Sequence, residues 1–244
     1  MAKRVLIATA NRDFDPTEVA VPWDRLTRAG HEVVFASGDG KESACDPRLL
    51  SGVIFGKLGA LPENVALYRK MAESAPFRSP IRYQDARPPD FHALVLPGGH
   101  APGMRQYLES KELTTTVLGF FRLGKTVASI CHGGVVLART VDPVTGKSVV
   151  HGRTMTALTK SLERTAYYLT AWKLGRYYRT YPAYVEDEVA AALGEHSLFQ
   201  TGPLFASYRQ PFVVRDDSRP GLLLTARWPG DASGWAEALL GALG

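Results

Sequence analysis

The sequence predicts an α/β fold, a doubly wound and mostly parallel sheet with helices on both faces, on three observations. Short apolar runs alternate with longer helix-like stretches from residue 3 to about 139. Two of those runs, at 91–103 and 126–136, end in glycine-rich turns that lead straight into a helix. With 244 residues and 45% hydrophobic content, the chain is long enough to bury one sizeable core.

Taken in order, strands are expected near 3–9, 31–36, 92–96 and 125–130, and helices near 16–29, 62–74, 103–122 and 132–139. The first helix is announced by Asp15-Pro16-Thr17-Glu18: an N-cap residue, proline at the first helical position and an acid at the third. The pattern changes beyond residue 140. Asp142–Gly146 reads as a turn, runs 148–151 and 153–157 as a hairpin, and 159–194 as a mainly helical small cap. Short strands near 197–200, 212–215 and 222–225 precede a closing helix at 232–242. The Pro- and Gly-rich stretches 38–60 and 75–90 lie within a longer excursion, about 38–90, and all of 1–244 is expected to form one domain.

Composition narrows the function classes. No apolar run approaches the ~20 residues of a membrane span, and run 5–10 is too short for a signal sequence, so the expectation is a cytoplasmic protein with no membrane partner. Two cysteines in different contexts argue against a disulfide framework; Cys45 reads as a loop residue without chemistry. The net charge of +5 raises the question of nucleic acid, but the basic residues are scattered and no nucleic-acid motif is present. The densest basic stretch, Lys160 to Arg179, is interleaved with Tyr and Trp and is expected to be an amphipathic helix, aromatics inward and bases in solvent.

The chemistry concentrates at Ile130-Cys131-His132-Gly133. A thiol on a strand-to-helix turn projects above the sheet edge, and small residues after it let the helix approach closely. The helix N-terminus then favours thiolate over thiol, so a depressed Cys131 pKa is expected. The competing reading is a buried small hydrophobe. Against it stands Pro97-Gly98-Gly99-His100, a second strand end whose glycines expose backbone N–H groups as an oxyanion hole requires. Glu18 is explained by helix capping alone, yet it follows the first strand, where ligands of such sheets bind. His132 is open to a plain cap position, and Glu163 to a solvent-exposed first-turn glutamate.

These residues resemble the ThiJ/PfpI superfamily, of the class I glutamine amidotransferase-like, flavodoxin-like fold, and its heat-shock-chaperone and glyoxalase III branch most of all. Further anchors are Ala29–Val33, Ala36-Ser37, Gly152–Thr159 and Tyr181–Gly194. The resemblance implies Cys131 as nucleophile, Glu18 as the acid/base beside it, and His132 as the histidine of a Cys-His-acid set with Glu163 as third member. It implies an oxyanion hole from the amides of Gly98, Gly99 and His132, with His100 and Trp228 at the substrate pocket. The chain departs from the branch at Arg227-Trp228, where small and amide side chains are usual, and both are expected at the pocket rim. The implied activity is a glyoxalase III-like conversion of a 2-oxoaldehyde to a 2-hydroxy acid with no metal or other cofactor, by a homodimer. A stress-response chaperone or redox sensor, and a cysteine amidase or peptidase, are the alternatives. Amidotransferase activity is disfavoured, because no His-x-Glu pair occurs near the C-terminus.

Overall fold

The computed structural model describes residues 1–244. Its centre is a seven-stranded sheet in the order Val213–Asp216, Leu223–Ala226, Thr126–Ile130, Ala93–Leu96, Arg4–Ala8, Glu32–Ser37 and Ile81–Arg82. All neighbours are parallel except the first pair, where Val213–Asp216 runs antiparallel on the edge. The central strands are buried on both faces, which is why Val5–Ala8 and Ala93–Leu96 read as continuous apolar runs without alternation. Pro16–Arg28, Lys111–Arg122, Gly133–Arg139 and Ala232–Leu243 are the principal helices packed around it, and 55 buried residues form one contiguous hydrophobic core. No helix is long and apolar enough to cross a membrane.

The expected α/β architecture and its four central strands are present; three local readings are corrected. The single helix expected at 103–122 is broken into a 3-10 turn and two helices, because Ser110 Oγ accepts the Leu113 amide at 3.1 Å and caps a fresh helix at Lys111. The hairpin lies one step earlier than expected, Val141–Asp142 against Lys147–Ser148, with Gly146 supplying the positive φ its turn needs. Residues 153–157 instead run across the strand ends, where the Thr156 amide donates to Thr225 Oγ1 at 2.9 Å. The expected strand at 197–200 is a 3-10 turn plus one bridge, Met155 to Phe199.

Arg227 does not reach the pocket rim. Its side chain is 1% exposed, and Nε and Nη2 donate to Asp231 at 2.9 and 3.1 Å while Nη1 donates to the Pro203 carbonyl. The fork thereby ties the last parallel strand to loop 201–203. Arg227→Ala leaves the Asp231 carboxylate buried without its partner and is expected to cost ~3–5 kcal/mol, measurable by urea unfolding. A loss below ~1 kcal/mol, typical of an exposed pair, would contradict this account.

Candidate active site

Strand Thr126–Ile130 ends at Cys131, which adopts φ 57°, one of only four non-glycine residues with positive φ. A Cβ in this left-handed region is strained, and such strain persists only where the surroundings enforce it. The enforcing contact is Gly133: a Cβ there would stand 2.1 Å from the Leu96 carbonyl oxygen, so the helix after the turn lies directly against the neighbouring strand end. Gly98 closes the other side, since a Cβ on it would meet the His132 nitrogen at 2.6 Å and Cys131 Cβ at 2.9 Å. The sequence signal, glycines on both strand ends, therefore has a steric cause on each.

Glu18 is fully buried on the first turn of Pro16–Arg28 and faces the thiol. Asp15 caps that helix by itself, accepting from the Thr17 and Glu18 amides at 2.8 and 3.2 Å. The amide to which a capping-box glutamate would return, that of Asp15, instead donates to the Gly98 carbonyl at 2.9 Å. Capping is thus no explanation of the Glu18 carboxyl. Its Oε2 accepts from the Gly98 amide at 2.7 Å, and its Oε1 is buried with no partner. Burial, reinforced by the Asp15 carboxyl, pushes the Glu18 pKa well above the usual carboxylate range, so the proton resides on a carboxyl aimed at the site.

The same burial overturns the expected acidic thiol. Cys131 is 1% exposed, and desolvation together with the Glu18 and Asp15 carboxyls pushes its pKa well up. No cation offsets this, and the short helix after it does not suffice. Cys45 is also raised, to about 12, by burial.

Two imidazoles face the sulfur. His132 Nδ1 lies 3.5 Å from Sγ and His100 Nε2 4.0 Å from it, with the rings edge to face at 4.7 Å. Burial lowers both, His100 to about 4 and His132 well below its ordinary value with a further push from His100. The resting site is therefore uncharged: thiol, carboxylic acid and two neutral rings. The ligand-type atoms of His100, Cys131 and His132 all lie within 4.8 Å of one another, close enough to hold a metal ion; the acid/base chemistry available to the site does not call for one.

The third member is not Glu163. That carboxyl is buried in the cap, where Arg179 Nη1 donates to Oε1 and the Val185 amide to Oε2 at 3.0 Å, and burial raises its pKa. The His132 ring is held by Thr180 instead. Thr180 Oγ1 donates to the His100 carbonyl at 2.7 Å, leaving its lone pairs for the Nε2–H of His132 at 3.5 Å. This arrangement directs the Nδ1 lone pair of His132 toward sulfur. Arg105 fixes Thr180 in turn, donating twice to its carbonyl at 3.0 and 2.6 Å. Sequence reasoning passed over Thr180 because it sits in an irregular segment 48 residues from its partner. Thr180→Val is expected to slow turnover on the order of 10- to 100-fold, the cost of a misplaced base, with Thr180→Ser restoring it. Unchanged kinetics in Thr180→Val would remove Thr180 from the site.

The oxyanion expectation is also revised. Gly98 N–H is taken by Glu18, whereas the Gly99 amide meets no protein acceptor and the His132 amide points at the Cys131 sulfur, so these two face an oxyanion formed there. A cleft of about 410 Å³ adjoins the site, with His100 and Trp228 among its lining residues. Cap residues of helix Lys160–Leu174 form one wall, and the segment 49–61, the end of the short helix Pro47–Ser51 and the loop after it, for which no role was expected, forms another. In the cap, however, Tyr168 and Trp172 point outward, 62% and 66% exposed, against the expectation of aromatics turned in.

A family model described as ThiJ/PfpI family-like matches residues 9–203. Among curated proteins, a deglycase of Pyrococcus abyssi is 37% identical over 55% of this chain and 63% of its own length. The chain thus spans less than two thirds of that relative. Among solved structures, a glyoxalase III of Candida albicans superposes with TM-score 0.70 at 21% identity, covering 98% of this chain and 97% of its own. The Rapid Encystment Protein of Francisella tularensis superposes with TM-score 0.73 at 19% identity, covering 99% of each chain.

Proposed function

The chain belongs to the ThiJ/PfpI family, and from that premise we propose that it is a cofactor-independent cysteine enzyme acting on small reactive carbonyls, converting a 2-oxoaldehyde to a 2-hydroxy acid. The observation that carries this reading is the buried Oε1 of Glu18, without a hydrogen-bond partner on a carboxyl that burial pushes toward its acid form, beside a thiol that already has a base, His132 Nδ1, at 3.5 Å. A peptidase needs no such acid; moving a proton between adjacent carbons does.

In the proposed course, Cys131 Sγ attacks the aldehyde carbon while its proton passes to His132 Nδ1 and the Glu18 proton passes to the aldehyde oxygen. A hemithioacetal results, with the developing oxyanion held by the Gly99 and His132 amides. Glu18, now a carboxylate, removes the hydrogen from that carbon, and His132 returns its proton to the adjacent oxygen, giving an enediol. Glu18 delivers its proton to the second carbon and takes back the hydroxyl proton of the first, which leaves a thioester. Water hydrolyses the thioester, its proton reaching sulfur through His132, and the 2-hydroxy acid departs.

The test is a glutathione-free assay of methylglyoxal with proton NMR detection in deuterated water. The reading expects lactate whose second-carbon hydrogen is the one Glu18 lifted from the first carbon, replaced by deuterium only as far as the buried carboxyl exchanges with solvent, and expects Glu18→Gln to form lactate at least about 10²-fold more slowly. Absence of lactate rejects the reaction; lactate formed by Glu18→Gln at the wild-type rate rejects the shuttle. The deglycase name of the Pyrococcus relative favours a second reading, deglycation by the same thiol. That reading requires an adduct as substrate, so product formed with no amine or thiol present decides for the first. Burial of the sulfur and its raised pKa weigh against a redox sensor, which needs an accessible thiolate.

A further inference from the structure

The cleft beside Cys131 is far larger than a three-carbon substrate requires, and its chemistry is one-sided. Its volume of about 410 Å³ falls in the ~300–1,000 Å³ range of pockets that enclose drug-sized ligands. Leu162, Ala166 and Leu169 supply the cap wall, and Leu49 and Val53 the facing loop wall. Trp228 and Tyr208, with ring centroids 4.9 Å apart, close a third side. The apolar lining continues outward: Leu58 and Leu169 are about half exposed at the rim. No lysine or arginine lines the cleft. Its one carboxyl, Asp15, accepts the Thr17 and Glu18 amides through Oδ1. The cleft meets the chemistry at a single place, the His100 ring, which lines it and stands 4.0 Å from the sulfur.

Resting on the reaction proposed above, we infer that the substrate is a 2-oxoaldehyde carrying a neutral, apolar group of phenyl or medium alkyl size, which fills the cleft formed by Leu49, Val53, Leu162, Ala166, Leu169 and Trp228 while its carbonyl end sits at His100, where the cleft comes nearest to Cys131. Methylglyoxal leaves those walls wetted; a phenyl or hexyl group removes them from water. Phosphorylated or carboxylated carbonyls are disfavoured, since no cation meets them and Asp15 stands in the lining.

The experiment is kcat/KM for the series methyl-, propyl-, hexyl- and phenylglyoxal on the wild-type protein, together with calorimetric titration of acetophenone, which carries the ring without the aldehyde. Each methylene buried should add about fourfold. Phenyl- and hexylglyoxal are therefore expected to exceed methylglyoxal by at least about tenfold. In Ala166→Trp, which fills the cleft, the phenyl-to-methyl ratio is expected to fall by at least about tenfold and acetophenone binding to weaken. Thr165→Phe serves as the second variant should the first not fold by near-ultraviolet dichroism. A flat or falling wild-type series, with methylglyoxal turned over, overturns the inference and leaves the reaction standing. Acetophenone binding that is lost in Ala166→Trp, with no 2-oxoaldehyde turned over, rejects the reaction but supports an apolar cleft. Failure of both rejects both.

Discussion

Cys131→Ala is expected to lower 2-oxoaldehyde turnover by on the order of 10³-fold or more, because the covalent intermediate is lost and the remaining groups act as a unit around it. The fold should survive, since alanine keeps the turn and the glycines at 98 and 133 still permit the close approach. Strain supplies an independent check. At φ 57° a Cβ is unfavourable, so Cys131→Gly should be about 1 kcal/mol more stable than Cys131→Ala in urea unfolding. Equal stability of the two variants would show that the elbow is unstrained. In the wild-type protein, alkylation of Cys131 should be slow at neutral pH and keep accelerating above pH ~8.5, the free-thiol range, because the buried thiol is raised and not lowered. Rapid labelling with a plateau near neutrality would overturn the uncharged resting site.

Glu18→Gln should reduce turnover by about 10²–10⁴-fold, the usual contribution of a positioned acid/base, while raising stability at neutral pH. The sign follows from its raised pKa. A buried acid that holds its proton in the folded state but loses it unfolded near pH ~4.3 stabilises the native state below that pH. That contribution drains away as pH rises toward the folded pKa. Glutamine has the same shape, keeps an acceptor for the Gly98 amide and never ionises. The stability difference between variant and wild type should thus be near zero at pH 4 and favour the variant at pH 7 to 8, read from denaturant midpoints. A variant that is less stable at pH 7, or that retains turnover, would return Glu18 to a purely structural role.

How much of this was legible beforehand differs from residue to residue. The four central strands and the elbow could be read because each is a local signal: a continuous apolar run is a strand buried on both faces, and Gly98 and Gly133 mark where backbones approach within contact of one another. Arg227 was misplaced because a departure from a family pattern says that a side chain differs, not where it points. Its fork found Asp231 four residues on and turned away from the cleft. Glu163 was misplaced similarly: it occupies a plausible position in sequence, but Arg179 competes for it at close range.

By itself the sequence determined the α/β class, the order of the central elements, the strand-to-helix turn at Cys131 and the acid on the first helix. All of these follow from periodicity, glycine placement and capping within a few residues of chain. Only the tertiary structure decided the protonation states, the partner of His132 and the shape of the cleft. The reason is that each depends on what distant segments bring to one point. Glu18 and Cys131, 113 positions apart in the sequence, are both raised by burial at one point, where the Glu18 carboxyl pushes the thiol up further, and Thr180 reaches the ring only because Arg105 holds its carbonyl. A pKa is set by solvent exclusion and neighbouring dipoles, and those belong to the packed molecule and not to the order of its residues.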